Sequence, residues 1–123
     1  MSVAGAYKTT SMMSETPDMT WIVRGLRGIQ TFLRRAALAI EEGDGTKKLQ
    51  MIEKANQLIM QLDALARSAE GPLSEKLSAA YAGLHVRIVN ANASNDAPAI
   101  ASILSETQEL EGQLRAISRK EAA

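Results

Sequence analysis

Few residues in this chain have side chains that could do chemistry. His85 is the single histidine, and there is no cysteine. A lone histidine on a helix could accept a phosphoryl group, but the residues from Val86 to Val89 offer neither the lysine nor the small residue that phosphotransfer domains place beside it. One histidine also cannot supply the paired Glu-x-x-His ligands of a di-iron bundle, or a zinc site. We therefore expect a partly buried structural histidine, no metal, no cofactor and no enzymatic activity.

The remaining polar motifs have simpler interpretations. Gly25-Leu26-Arg27-Gly28 lies within a helical pattern rather than after a strand, so it predicts close helix packing and not a nucleotide site. Two further groups of charged residues are predicted to be solvated outer faces of helices. They are the acids Glu106, Glu109 and Glu111, and the basic patch Arg24, Arg27, Arg34 and Arg35.

The composition narrows the possible classes of protein. A chain of 123 residues is long enough for one domain with its own core, and without cysteine that core has no disulfides. Fourteen basic residues balance fourteen acidic ones, so we expect neither nucleic acid nor an anionic membrane as a partner. No signal peptide or membrane-spanning stretch is predicted. The low aromatic content, 3%, together with abundant Ala, Leu, Glu and Gln, favours helices over sheets.

Three breaks divide the chain into helical segments: Gly43-Asp44-Gly45, Gly71-Pro72 and the polar stretch from Asn92 to Pro98. Apolar residues recur at intervals of three and four within each segment. The predicted fold is all-α, an antiparallel up-down four-helix bundle, because matched helices joined by short loops pack in that way. The predicted helices span residues 16–42, 46–69, 72–93 and 96–119, after a non-helical arm at 1–15 and before a tail at 120–123.

The second and third helices carry more apolar residues than one core stripe requires. The second has a predicted core row that includes Leu49 and Ile52, with a flanking row of Met51, Leu58 and Leu65. On the third, one further row lies about 200° around the helix axis from the predicted core row at Leu84. That row contains Ala82, Val86, Val89 and Ala93. A helix that is apolar on opposite sides indicates a partner surface, unless twist of the bundle simply widens the core contact.

Short sequence elements occur along most of the chain in a characteristic order. They are Tyr7, then Thr16-Pro17, then Gly28, Phe32, Ala36 and Ile40, then Gly43-Asp44, then Ala55, Ile59 and Leu62, then Gly71, then Leu77 and Tyr81, and finally Ala91-Asn92 with Asp96. Their order and spacing over residues 5 to 117 resemble those of the flagellin-specific secretion chaperones, also called the FliS family.

This resemblance implies a cytoplasmic export chaperone that binds the disordered C-terminal region of flagellin and prevents its polymerisation before export. The implied partners are flagellin, a protein of the membrane export gate and other flagellar regulators. It also implies that the arm before the first helix covers part of the client groove. We predict client contacts at Tyr7, Met51, Leu58, Leu65, Tyr81, Val86, Val89, Asn92 and Ala93.

Two alternatives stay open from the sequence. One is a helical adaptor for a different amphipathic client, and the other is a phosphotransfer module that uses His85. Binding of the C-terminal flagellin peptide would distinguish the first alternative, and incubation with a phosphorylated response regulator would distinguish the second.

Overall fold

Four α-helices and no strand make up the part of the chain that the computed structural model describes, residues 19–122. The helices are α1 Met19–Glu42, α2 Gly45–Arg67, α3 Pro72–Ala93 and α4 Ala97–Ala122. The prediction of an all-α, four-helix fold is therefore confirmed. The arm predicted at 1–15, the predicted helix start at residue 16 and the client contact predicted at Tyr7 lie outside the described residues.

Turn chemistry encoded in the sequence sets the ends of the helices. Gly43 follows α1 with a φ of 73°, a conformation that glycine adopts without steric cost. Asp44 then caps α2, because its carboxylate accepts a hydrogen bond from the backbone N–H of Lys47 at 3.0 Å. Asp96 does the same for α4 by accepting from the backbone N–H of Ala99 at 3.0 Å. These short connections keep consecutive helices adjacent.

The helices form a ring in chain order. Each of α1 and α3 lies beside α2 and α4, and the α3–α4 seam is the least extensive of the four. Side-chain hydrogen bonds across the α2–α3 seam join Asn56 to His85 and Asp63 to Ser78. Residue numbers on α3 therefore decrease as those of their partners on α2 increase. This is the order of contacts expected from the antiparallel arrangement that the sequence predicts. The α2–α3 seam consequently lies opposite the α1–α4 seam.

Aliphatic side chains from all four helices, together with Tyr81, fill the centre of the ring. The buried core residues are Ile22, Leu26, Ile29, Leu33, Ala36 and Ala39 of α1, Met51, Ile52, Ala55, Ile59, Leu62 and Ala66 of α2, Leu77, Tyr81, Leu84, Ile88 and Ala91 of α3, and Ile100, Ile103 and Leu114 of α4. Most of these positions lie on the predicted rows.

One assignment on α2 is wrong. Leu49, predicted for the core, is 47% exposed, whereas Met51, predicted for the outer flank, is only 7% exposed. Each three-residue step advances about 300°, or 60° short of a full turn. Two such steps separate Leu49 from Ala55, so the row drifts out of the core. Met51 stands four residues before Ala55 and takes the core position instead.

The two glycines within α1 allow it to approach α2 closely, as the sequence predicts. A Cβ atom added to Gly25 would lie 2.7 Å from Cδ2 of Leu62, and one added to Gly28 would lie 2.7 Å from Cδ1 of Leu58. Leu62 belongs to the core, and Leu58 packs against its edge. The motif therefore has a packing role.

Candidate binding surface

A hydrogen bond between the exposed His85 and the half-buried Asn56 marks the outer side of the α2–α3 seam. Nδ1 of His85 lies 3.2 Å from Oδ1 of Asn56. His85 is exposed, so the prediction of a partly buried histidine is wrong. Its position next to Leu84 places it about 100° from the core row, on the flank of α3 that faces α2. The imidazole therefore joins two helices at the surface of the bundle.

Apolar side chains surround this hydrogen bond on both helices. On α2, Met60 stands four residues after Asn56 and Leu49 seven before it, so all three share one side of the helix. On α3, Ala82 and Val89 flank His85 at spacings of three and four, and Val86 and Ala93 extend this row outward. We call this the α2–α3 surface, formed by Leu49, Met60, Ala82, Val86, Val89 and Ala93.

The four larger side chains of the α2–α3 surface are well exposed. Met60 is 65% exposed, Val86 56%, Leu49 47% and Val89 45%. One carboxylate interrupts them, because Glu53 stands four residues after Leu49 on the same side of α2. The surface thus combines apolar rows with a narrow polar centre, which suits an amphipathic partner better than a small polar ligand.

The predicted client contacts do not all lie on this surface. Val86, Val89 and Ala93 do. Asn92 lies half-buried at its end, where its backbone carbonyl oxygen accepts a hydrogen bond from Nζ of Lys48 at 3.2 Å. Val86 and Val89 are thus solvent-facing, so a twist that only widens the core contact does not explain them.

The other predicted contacts are distributed elsewhere. Met51 and Tyr81 are core residues, 7% and 1% exposed, so their side chains are not part of the surface of the folded bundle. Leu58 is half-buried on the side of α2 that faces α1, and Leu65 follows it by seven residues on that same side, 40% exposed.

Leu49 and Met60 belong to the α2–α3 surface but were not predicted as client contacts. The spacing of the sequence places Leu49 in the core row, from which it drifts as described above. Met60 carries a usable signal, because it is a large apolar residue set between Gln57 and Gln61 on the polar side of an otherwise amphipathic helix. Methionine is also overused on adaptable binding surfaces.

Tyr81 is a titratable residue in the core, and its environment disfavours ionisation of the hydroxyl. Burial is the main reason why its pKa lies well above the usual tyrosine value, and the negative charge of Asp63 adds to the effect. The hydroxyl has no hydrogen-bond partner among the described residues. Asp63 itself accepts from the hydroxyl of Ser78 at 2.7 Å. Tyr81 thus stays protonated at neutral pH and acts as a core residue.

The described residues contain no group of three or more His, Asp or Glu side chains placed to hold a metal ion. Within the same part of the chain, no helix is both long enough and apolar enough to cross a membrane.

Comparison with known proteins agrees with these observations. The family model described as "Flagellar protein FliS" matches residues 1–121. The chain is also similar to the flagellar secretion chaperone FliS of Bacillus subtilis (strain 168), with 34% identity over 100 residues, covering 80% of this chain and 72% of the relative. The predicted family is thereby confirmed: the chain belongs to the FliS family of flagellar proteins.

Proposed function

We propose that this protein is a flagellar secretion chaperone that acts in the bacterial cytoplasm on flagellin. It binds the disordered C-terminal region of flagellin, prevents premature polymerisation and presents flagellin to the export gate of the flagellar type III secretion apparatus. Support comes from the family and from the similarity to the flagellar secretion chaperone of Bacillus subtilis. The observation that carries the proposal is the α2–α3 surface, where four large apolar side chains face solvent.

The chemistry of the surface fits such a client. A segment that polymerises through helix packing presents an apolar stripe, and Val86, Val89 and Met60 offer a complementary apolar strip on the chaperone. Helical order in a previously disordered client costs conformational entropy, which moderates the affinity. Moderate affinity suits a chaperone, since the client must be released for export.

Co-purification tests this function directly. The tagged protein is expressed with full-length flagellin or with flagellin that lacks its C-terminal region. We expect full-length flagellin to be recovered with the chaperone and the truncated form to be lost. Equal recovery of both forms would place the binding determinant elsewhere in flagellin. Recovery of neither form would contradict the flagellin assignment and favour an adaptor for a different amphipathic client.

A further inference from the structure

A concave surface lies between the first half of α1 and the last half of α4. It is a cleft of about 430 Å³. The residues that line it and carry the argument are Met19, Val23, Arg24, Arg27, Arg115 and Arg119. Because the α1–α4 seam lies opposite the α2–α3 seam, this cleft and the α2–α3 surface are on opposite sides of the bundle.

The cleft is strongly basic although the chain as a whole has a formal charge of zero. From Met19 to Gly28, the part of α1 beside the cleft contains two arginines and no acid. From Gly112 to Lys120, α4 contains two arginines, one lysine and no acid. Positive charge is therefore concentrated at one end of one seam, which creates a local potential that the net charge conceals.

Neighbouring carboxylates neutralise only part of this charge. Oε2 of Glu111 accepts from Nε of Arg27 at 3.1 Å and from Nε of Arg115 at 2.7 Å, so one carboxylate serves two guanidinium groups. Within residues 19–120, no acid pairs with Arg24 or Arg119. The cleft thus retains an excess of cationic donors that face solvent.

Apolar groups accompany the charges. Met19 and Val23 contribute apolar surface to the cleft. Trp21, 59% exposed, lies outside the cleft, on the flank of α1 towards α2. The guanidinium carbon of Arg24 lies 5.6 Å from the centroid of the Trp21 ring, a cation–π distance that holds the charge near the aromatic face. Arginine, which lines the cleft at four positions, is one of the residue types that often dominate the energy of protein–protein interfaces.

We propose that the α1–α4 cleft is a docking site for an acidic, amphipathic segment of a second protein partner. Carboxylates of that segment pair with Arg24 and Arg119, and an apolar side chain packs on Met19 and Val23. A protein fits better than a nucleic acid, because the cations surround apolar groups in one compact cleft and do not form the extended track that a phosphate backbone follows. The chaperone can then hold a client and this partner at the same time.

Titration with a model peptide tests the proposal in the absence of flagellin. The probe is a helical peptide with glutamates on one side and leucines on the other, and the control peptide has glutamine in place of each glutamate. Heteronuclear NMR of the full chain at low salt follows the backbone amides. We expect the acidic peptide to shift amides of α1 and α4 around the cleft, and we expect added salt to weaken binding. No shift at the cleft, or equal shifts with the glutamine peptide, would overturn the proposal.

Matched variants separate the cleft from general charge. Arg24→Gln combined with Arg119→Gln should weaken binding of the acidic peptide about tenfold. Arg34→Gln combined with Arg35→Gln removes the same charge from α1 outside the cleft and should change binding little. Equal weakening of peptide binding by both pairs would show that net charge and not the cleft determines binding, and it would overturn the proposal. Tighter binding of a single-stranded oligonucleotide than of the peptide at the same sites would make the cleft a nucleic-acid surface and overturn the proposal.

Discussion

At the scale of single residues, burial and not sequence position separates structural from accessible side chains. Tyr81 carries a hydroxyl group, yet it is 1% exposed and without a hydrogen-bond partner in the described structure. An unpartnered buried hydroxyl costs free energy, because it leaves water without replacing the lost hydrogen bonds. The ring contributes apolar packing, and the hydroxyl reduces that gain.

We expect Tyr81→Phe to leave the free energy of unfolding unchanged at neutral pH or to raise it by up to about 1 kcal/mol. The two proteins should diverge in alkaline solution. The pKa of Tyr81 is raised in the folded state, whereas an unfolded tyrosine ionises near pH 10. As the pH rises above about 10, Tyr81 therefore ionises more readily in the unfolded state, and the free energy of unfolding of the wild-type protein falls. The variant has no phenol at this position and does not show this fall.

Urea unfolding of both proteins at neutral and at alkaline pH measures these differences. A loss of more than about 2 kcal/mol in the variant at neutral pH would indicate that the hydroxyl makes a stabilising hydrogen bond.

At the scale of helices, the contacts of α1 with α2 and with α4 depend on different chemistry. Contact with α2 is apolar and is closest at Gly25 and Gly28. The contact with α4 adds a polar cluster centred on Glu111, whose side chain is only 13% exposed. Its Oε1 accepts from Nε2 of Gln30 at 3.0 Å, in addition to the two arginines bound to Oε2. We therefore make a separate prediction of stability for each seam.

On the α1–α2 seam, Gly25→Ala should lower the free energy of unfolding by about 1–3 kcal/mol. Its new Cβ would meet three atoms of the buried Leu62 at 2.7–3.0 Å. The crowding should outweigh the gain of roughly 1 kcal/mol in helix propensity. Gly28→Ala is the control and should be near neutral, because it meets only the flexible end of the half-buried Leu58. Urea unfolding measures both variants, and equal effects would contradict this account.

On the α1–α4 seam, Glu111→Ala should cost about 1–3 kcal/mol, because it removes the acceptor of a buried amide donor. Gln30 is only 5% exposed, so water cannot readily replace that acceptor. Glu109→Ala removes an exposed carboxylate from the same helix and should change stability by no more than about 0.5 kcal/mol. Thermal unfolding of the pair provides the comparison. A cost for Glu111→Ala no larger than that of the control would show that the hydrogen bonds contribute little.

The sequence predicts the helices well, because their ends use local signals such as Gly43, Asp44 and Asp96, and most core positions keep helical spacing. Prediction from the sequence fails where several helical spacings compete, or where a side chain contacts a residue that is distant in the chain. Leu49 and Met51 exchange roles because three-residue steps drift around the helix axis.

Glu111 was predicted to be solvated with its neighbours, and that prediction is wrong. Two of its three partners, Arg27 and Gln30, are more than 80 residues away along the chain. Spacing within one helix cannot reveal such a contact. The exposed row at Val86 and Val89 was identified because it depends only on spacing within α3.

At the scale of the whole molecule, the ring of helices presents two chemically different faces. The α2–α3 surface is largely apolar, and the α1–α4 cleft is basic. In the ring, these seams are opposite one another, so occupation of one leaves the other accessible. The central claim concerns the apolar face, where Val86 and Val89 face solvent without a packing role in the core.

Calorimetric titration with the C-terminal flagellin peptide tests that claim most directly. The variant combines Val86→Asp with Val89→Asp, and its control is Leu38→Asp, an equally drastic change at a residue of α1 that is 52% exposed. We predict that the double variant loses measurable peptide binding while helicity and melting temperature change little, since surface substitutions cost little stability. The control should bind as the wild-type protein does. Unchanged peptide affinity in a folded double variant, or loss of binding only in step with loss of melting temperature, would contradict the account.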